Sequence, residues 1–193
     1  MKKIAIFASG SGTNAQNIAE YFKDRTTGRI HYILSNNPEA YVLKRAEKLG
    51  IPYHVFNRDT FYNTNEVLEV LKKQETHFIV LAGFIWLVPA YLIRAFPKRI
   101  INIHPALLPK YGGKGMYGMK VHEAVIKNKD KESGISIHYV NERYDEGSII
   151  FQTRCKVKPD DTPESLAERV HQLEYSYFPK VIEEELLKLD TQL

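Results

Sequence analysis

The chain predicts an α/β fold, one doubly wound and mostly parallel sheet with helices on both faces and an antiparallel strand near the C-terminal end. Three observations predict it. Short apolar runs alternate with stretches of helical period through the first half, the signature of strand–helix–strand crossovers. Several of those runs, His77–Ala82 above all, are apolar throughout rather than at every second residue, so both faces of the sheet are covered. Late in the chain, Gly134–Asn141 and Ser148–Val157 follow each other around the turn Glu142–Gly147, with no room for a helix between them.

Each element follows from local chemistry. Lys3–Ser9 is a β-branched and aromatic run that ends in glycines, and a helix is expected from about Asn14 to Phe22. Ile30–Ser35 reads as the second strand, Glu39–Leu49 as a helix stopped by Gly50 and Pro52, and Tyr53–Phe56 as the third strand. A helix over Thr64–Lys73 then leads into His77–Ala82. Beyond a short helix at Ala90–Phe96 comes strand Arg99–Ile103, and past the Pro/Gly-rich stretch Pro105–Gly118 a helix over Lys120–Asn128. The last element is a long amphipathic helix from about Thr162 to Leu189, with Pro163 in its first turn. Pro179 should kink or split it, because proline removes a helical hydrogen bond. No repeat or linker divides the sequence, so residues 1–193 are expected to form one domain.

Composition narrows the function classes. At 193 residues the chain buries enough apolar surface to hold together without disulfides or a structural metal. The lone Cys155 suits a reducing compartment, and the expected location is the cytoplasm. Phe78–Ile93 is uncharged but short and interrupted by Gly83 and Pro89, which favours a buried strand and turn over a membrane span. The net charge of +4 and pI near 9.0 come from scattered lysines and arginines without a basic tract. Small anionic ligands are therefore expected rather than nucleic acid or membrane. The histidines are dispersed, so no metal site is expected.

Two segments carry chemistry. Ala8-Ser9-Gly10-Ser11-Gly12-Thr13-Asn14 joins the first strand to the first helix, where glycines admit a ligand and the helix start offers unpaired N–H groups to an anion. The third glycine of a dinucleotide fingerprint is missing, and Thr13 and Asn14 add side-chain donors, which suits a terminal phosphate. The second segment is Arg99-Ile-Ile-Asn102-Ile-His104-Pro105. Strand alternation puts Asn102 and His104 on one face at a carboxyl end, the usual ligand crevice of such a sheet. An amide beside an imidazole can cradle an oxyanion and move a proton. Asp145 is expected to join them, raising the imidazole pKa and positioning a water, although Glu142 and Glu146 lie close in sequence. Ser136 and His138 alternate on the preceding strand and could line the same cleft.

Asn102-Ile-His104-Pro105-Ala-Leu-Leu-Pro109, Leu81-Ala-Gly83-Phe84, the Asp145 loop and Ser9-Gly-Ser-Gly-Thr-Asn14 together resemble the folate-dependent formyltransferases over nearly the whole chain. The resemblance implies a Rossmann-like, phosphate-binding N-terminal half and a folate-binding, catalytic C-terminal half. It implies transfer of the formyl group of 10-formyltetrahydrofolate to the amine of glycinamide ribonucleotide in purine synthesis, by a cytoplasmic monomer or homodimer. Asn102, His104 and Asp145 match the catalytic set. Gly12, Thr13 and Asn14 match the phosphate loop, with His171 and Glu174 as further substrate contacts. Ile85, Trp86, Leu87 and Val88 match the segment beside the folate pterin; Asn102, Val140, Asn141 and Tyr144 complete the folate set. Trp86 and Thr64 stand where members of the family carry arginine, which implies a more apolar contact and a different hold on the folate tail. Gly112–Lys120 is expected to form a mobile flap. Relatives that formylate tRNA or hydrolyse the folate normally carry an added C-terminal or N-terminal domain, and neither is expected here.

Overall fold

The computed structural model describes residues 1–190. Its elements run β1 (Lys2–Phe7), α1 (Thr13–Phe22), β2 (Gly28–Ser35), α2 (Tyr41–Leu49), β3 (Tyr53–Val55), α3 (Arg58–Tyr62), α4 (Glu66–Lys73), β4 (Phe78–Leu81), α5 (Ala90–Ala95), β5 (Ile100–His104), α6 (Met119–Lys127), β6 (Glu132–Tyr139), β7 (Ile149–Lys156) and α7 (Pro163–Asp190). They build one seven-stranded sheet in the order β3-β2-β1-β4-β5-β6-β7. Neighbours through β5 pair in parallel, and β6 runs antiparallel to both β5 and β7. The predicted fold class therefore holds, including the single reversed strand.

Alternation along β1 shows how the layers form. Ile4 and Ile6 enter a core shared with α1, α2, α6 and α7, whereas Ala5 and Phe7 enter a second core with α3, α4 and α5. Full burial on both faces explains why β4, Phe-Ile-Val-Leu, is apolar throughout. The chain winds outward from β1 in both directions, so the strand order reverses between β1 and β4. At such a switch point the two following loops part and leave a crevice beyond the strands' carboxyl ends. The glycine loop after β1 and the Ala-Gly-Phe segment after β4 flank it.

Two local expectations change. The helix expected over Thr64–Lys73 starts at Glu66, and an unpredicted short helix, α3, precedes it. A capping box starts α3: the Asn57 side chain accepts from Thr60 N–H and the Thr60 hydroxyl from Asn57 N–H. Pro179 does not split the last helix; α7 continues through it. Phe178, Val181 and Ile182 are buried around the proline, and their packing outweighs one missing backbone bond.

Candidate active site

A cavity of about 400 Å³ opens at the crevice. One wall is the glycine loop, Gly10 to Asn14, with His171 and Glu174 of α7 behind it. The opposite wall is Leu81 to Val88, joined by Val140, Asn141 and Tyr144. Asn102, His104 and Asp145 lie between them, with Gly113 to Met119 over the top. Every residue that the resemblance assigned to catalysis, the phosphate loop, further substrate contacts or the folate set lines this one cavity.

Ser9 sets the two walls against each other. Its N–H donates to the Gly83 carbonyl at 3.1 Å, and its hydroxyl accepts from Ile85 N–H at 3.2 Å. Gly12 starts α1 in the left-handed region at φ 73°, with no side-chain cap on the helix. A Cβ there would lie 2.4 Å from a Val42 methyl, so only glycine allows this helix tip to face the cavity with its N–H groups open.

Asn14 is shared between the glycine loop and α7. Its side-chain Nδ2 donates to Glu174 at 2.7 Å, and its Oδ1 is buried without a partner. One of the two amide hydrogens is thus committed to α7, which leaves a single side-chain donor. Glu174 also accepts from His171 Nδ1 at 2.9 Å, and that bond raises the His171 pKa above its ordinary value despite burial.

At the end of β5, Asn102 and His104 point the same way while Ile101 and Ile103 enter the core. Asp145 reaches them from the β6–β7 loop; Glu142 and Glu146 do not line the cavity. Its Oδ1 lies 3.4 Å from Asn102 Nδ2 and its Oδ2 3.6 Å from His104 Nδ1, and Oδ2 also accepts from Gly113 N–H at 3.0 Å. The backbone of Asp145 is left-handed, φ 56°, a conformation aspartate tolerates better than most residues. Gly147 lets the loop return, since a Cβ there would meet the Tyr139 carbonyl at 1.7 Å. His138 joins the group: its Nδ1–H donates to its neighbour's carbonyl at 2.8 Å, and Nε2 faces Asn102 Nδ2 at 3.2 Å and Asp145 Oδ1 at 3.6 Å. Ser136 does not reach the cleft. Its hydroxyl donates to Ala106 O and accepts from Leu108 N–H, fastening the loop after β5.

Two opposing effects set the His104 proton, and the pull expected from Asp145 is the weaker one. Burial pushes the His104 pKa down, and although Asp145 and the Tyr111 carbonyl pull it up, the net shift is downward. Nε2 must carry the proton, because it lies 2.7 Å from Tyr111 O, which can only accept. The resting imidazole is therefore neutral, with its Nδ1 lone pair toward Asp145. For Asp145, burial raises the pKa, but hydrogen bonding to the carboxyl, the Gly113 N–H among the donors, outweighs it and holds it below its ordinary range.

The wall from Leu81 to Val88 rests on an aromatic cluster. Trp86 lies 5.8 to 6.4 Å, centroid to centroid, from Phe56, Phe61, Tyr62 and Phe84. Thr64 does not line the cavity; its hydroxyl donates to Thr60 O and accepts from Glu66 N–H. A cation does stand nearby: Arg58 lies over the rings of Tyr62 and Trp86 at 5.2 and 5.8 Å. The stretch expected as a flap is tied to the site at Gly113, through Asp145. His122 of α6 also lines the cavity and was not anticipated, since a helix face cannot be oriented toward a strand end from spacing alone. Among the described residues no group of histidine, cysteine and acidic side chains is arranged to hold a metal, and no helix is long and apolar enough to cross a membrane.

A carboxylate, an amide and an imidazole thus meet beside an open helix N-terminus at the switch point of this sheet. Comparison gives the class directly: residues 2–182 match the formyl transferase family, and the chain belongs to it. Within that family it is 35% identical to the phosphoribosylglycinamide formyltransferase of Bacillus subtilis over 95% of this chain and 94% of that protein. It is 42% identical to the chloroplastic phosphoribosylglycinamide formyltransferase of Arabidopsis thaliana over 94% of its own length, but spans only 64% of that longer relative. The glycinamide ribonucleotide transformylase 1 structure from Geobacillus kaustophilus superposes with a TM-score of 0.87 at 34% identity, covering 96% of this chain and 99% of that one.

Proposed function

We propose that the chain transfers the formyl group of 10-formyltetrahydrofolate to the amine of glycinamide ribonucleotide, giving N-formylglycinamide ribonucleotide and tetrahydrofolate in de novo purine synthesis. The observation that carries this is the position of Asn102, His104 and Asp145 midway between a helix tip suited to phosphate and an apolar wall suited to a pterin. Both substrates are small molecules, and no nucleic acid partner belongs to the reading. The cytoplasm is the proposed compartment, and monomer or homodimer the proposed state.

In this mechanism the phosphate sits on the N–H groups of Gly12, Thr13 and Asn14, with His171 and Glu174 beside the sugar. The pterin lies along Ile85 to Val88 and under Val140, Asn141 and Tyr144. The substrate's neutral amine attacks the formyl carbon, a C–N bond forms, and the carbonyl π pair moves to oxygen. Asn102 Nδ2 donates to that oxyanion. The growing negative charge supplies what burial withholds from the resting imidazole, so His104 takes up the amine's surplus proton at Nδ1 as the tetrahedral species forms. Asp145 stabilises the imidazolium and orders a water through which that same proton passes to the departing folate nitrogen, where the C–N bond breaks and His104 returns to its neutral form.

A spectroscopic assay for tetrahydrofolate release tests the proposal. Release only in the presence of glycinamide ribonucleotide is expected; release at the same rate without it means hydrolysis and rejects the assignment.

A further inference from the structure

His122 is buried, 1% exposed, on the inner face of α6, and it lines the cavity. Its Nδ1 is sealed from solvent without a hydrogen-bond partner. Nε2, the ring nitrogen not sealed in this way, has no protein partner among the described residues either. Most buried polar side chains have at least one partner, and one left unsatisfied is destabilising. The exception here sits at the end of a connected series. Asn14 of the glycine loop bonds to Glu174, Glu174 bonds to His171, and the His171 ring meets His122 edge to face at 6.5 Å between centroids. Each preceding member has a partner, and His122 ends the series with an open ring.

Its protonation state narrows what it can bind. Burial, aided by the neighbouring His171, lowers its pKa to about 4 against the pull of Glu174, so the ring is neutral at physiological pH. A neutral imidazole offers one N–H and one lone pair and adds no charge for a phosphate. Lone pairs are left unpaired in protein interiors more readily than N–H groups. The lone pair therefore belongs on the sealed Nδ1 and the proton on Nε2, the nitrogen free to meet a ligand. Between the phosphate and the reacting amine the proposed substrate is uncharged, and its acceptors there are the ribose oxygens and an amide carbonyl.

We infer that His122 is a substrate-positioning residue whose Nε2–H donates to a neutral oxygen of the ribosyl-glycinamide portion, completing the ring's hydrogen bonding only when the nucleotide is bound. The inference rests on the proposed function and names one more contact of the same site.

The test is calorimetric binding of glycinamide ribonucleotide to wild type, His122→Phe and His122→Gln, with inorganic phosphate as a probe of the glycine loop alone. His122→Phe keeps the ring volume and removes both nitrogens. It should weaken nucleotide binding about 5- to 100-fold, leave phosphate binding unchanged, and not lower Tm, because an unsatisfied buried group has gone. His122→Gln, whose amide can place an N–H near the original Nε2, should recover part of the loss. Wild-type nucleotide affinity in His122→Phe overturns the inference. So does a drop in Tm of several degrees with phosphate and nucleotide binding lost together, which marks a structural histidine. Binding does not depend on turnover, so a wild-type chain that binds nucleotide tightly and fails to transfer formyl sinks the proposed function and leaves this contact standing.

Discussion

Asp145 and Asp161 are both carboxylates held below their ordinary pKa, and their surroundings differ completely. Asp161, at the foot of α7, is gripped by Arg169 through two bonds of 2.6 and 2.8 Å and also accepts from Lys158 N–H and the Ser165 hydroxyl. Its partners include a permanent cation, and they saturate it. Asp145 faces two imidazoles at 3.6 Å, an amide at 3.4 Å and one N–H at 3.0 Å, from a left-handed backbone. Its long contacts leave room for a ligand or a proton to change them. Saturated pairing marks a group that holds the fold, and loose pairing to titratable neighbours marks one that works.

The largest effect should come from breaking the loose side of that comparison. Asn102→Ala and Asp145→Asn should each lower turnover about 100- to 1000-fold, the usual loss for a preorganised donor or its support. Asparagine adopts the left-handed backbone at least as readily as aspartate, so Asp145→Asn should keep its Tm. Turnover near wild type in either variant, measured by tetrahydrofolate release, removes the catalytic assignment. Next comes the phosphate wall. Gly12→Ala drives a Cβ into Val42 at a position already at φ 73°, and it should raise the KM for the nucleotide by tens of fold while lowering Tm. An alanine variant with the parent's KM and Tm would mean that the loop neither needs glycine nor touches substrate. The apolar wall should respond more mildly and on the other substrate. Trp86→Ala removes a face beside the cavity and should raise the folate KM about tenfold, a loss of about 1.4 kcal/mol, with nucleotide binding intact. An equal loss for both substrates would show that the aromatic cluster supports the site as a whole.

Sequence patterns reached the parts of this molecule that depend on neighbours in the chain. The strand–helix alternation, the shared face of Asn102 and His104, and the glycine loop all follow from periodicities of two or 3.6 residues. The short helix α3 was legible in principle from Asn57 and Thr60 at capping-box spacing, but a single turn gives too little apolar pattern to register. Contacts made across the fold were not legible. That the Asn14 amide bonds to Glu174, far along the chain, could not be read from its neighbours in sequence. His122 resembles any other helix histidine until α6 is docked. The His104 proton is the subtlest case: a nearby carboxylate suggests an elevated pKa, and only burial, a property of the assembled fold, reverses the sign.

The smallest predicted effect sharpens the comparison from its structural side. Asp161→Asn should leave turnover unchanged and lower Tm at neutral pH by about 2–4 °C, the response expected of a domain this size to a loss of about 1 kcal/mol. Its sign with pH follows from the direction of the shift. Arg169, the first cause, holds the folded-state carboxyl well below its value in the unfolded chain. Unfolding therefore takes up a proton in acid, and the stability this carboxylate contributes is present above an unfolded pKa of about 4 and lost as pH falls through the lower, folded value. Thermal melts from pH 7 to pH 3 should thus show the gap between wild type and Asp161→Asn closing toward acid. A gap that stayed constant would mean that Asp161 supports α7 as a hydrogen-bond acceptor rather than as a charge, and charge pairing would no longer separate it from Asp145.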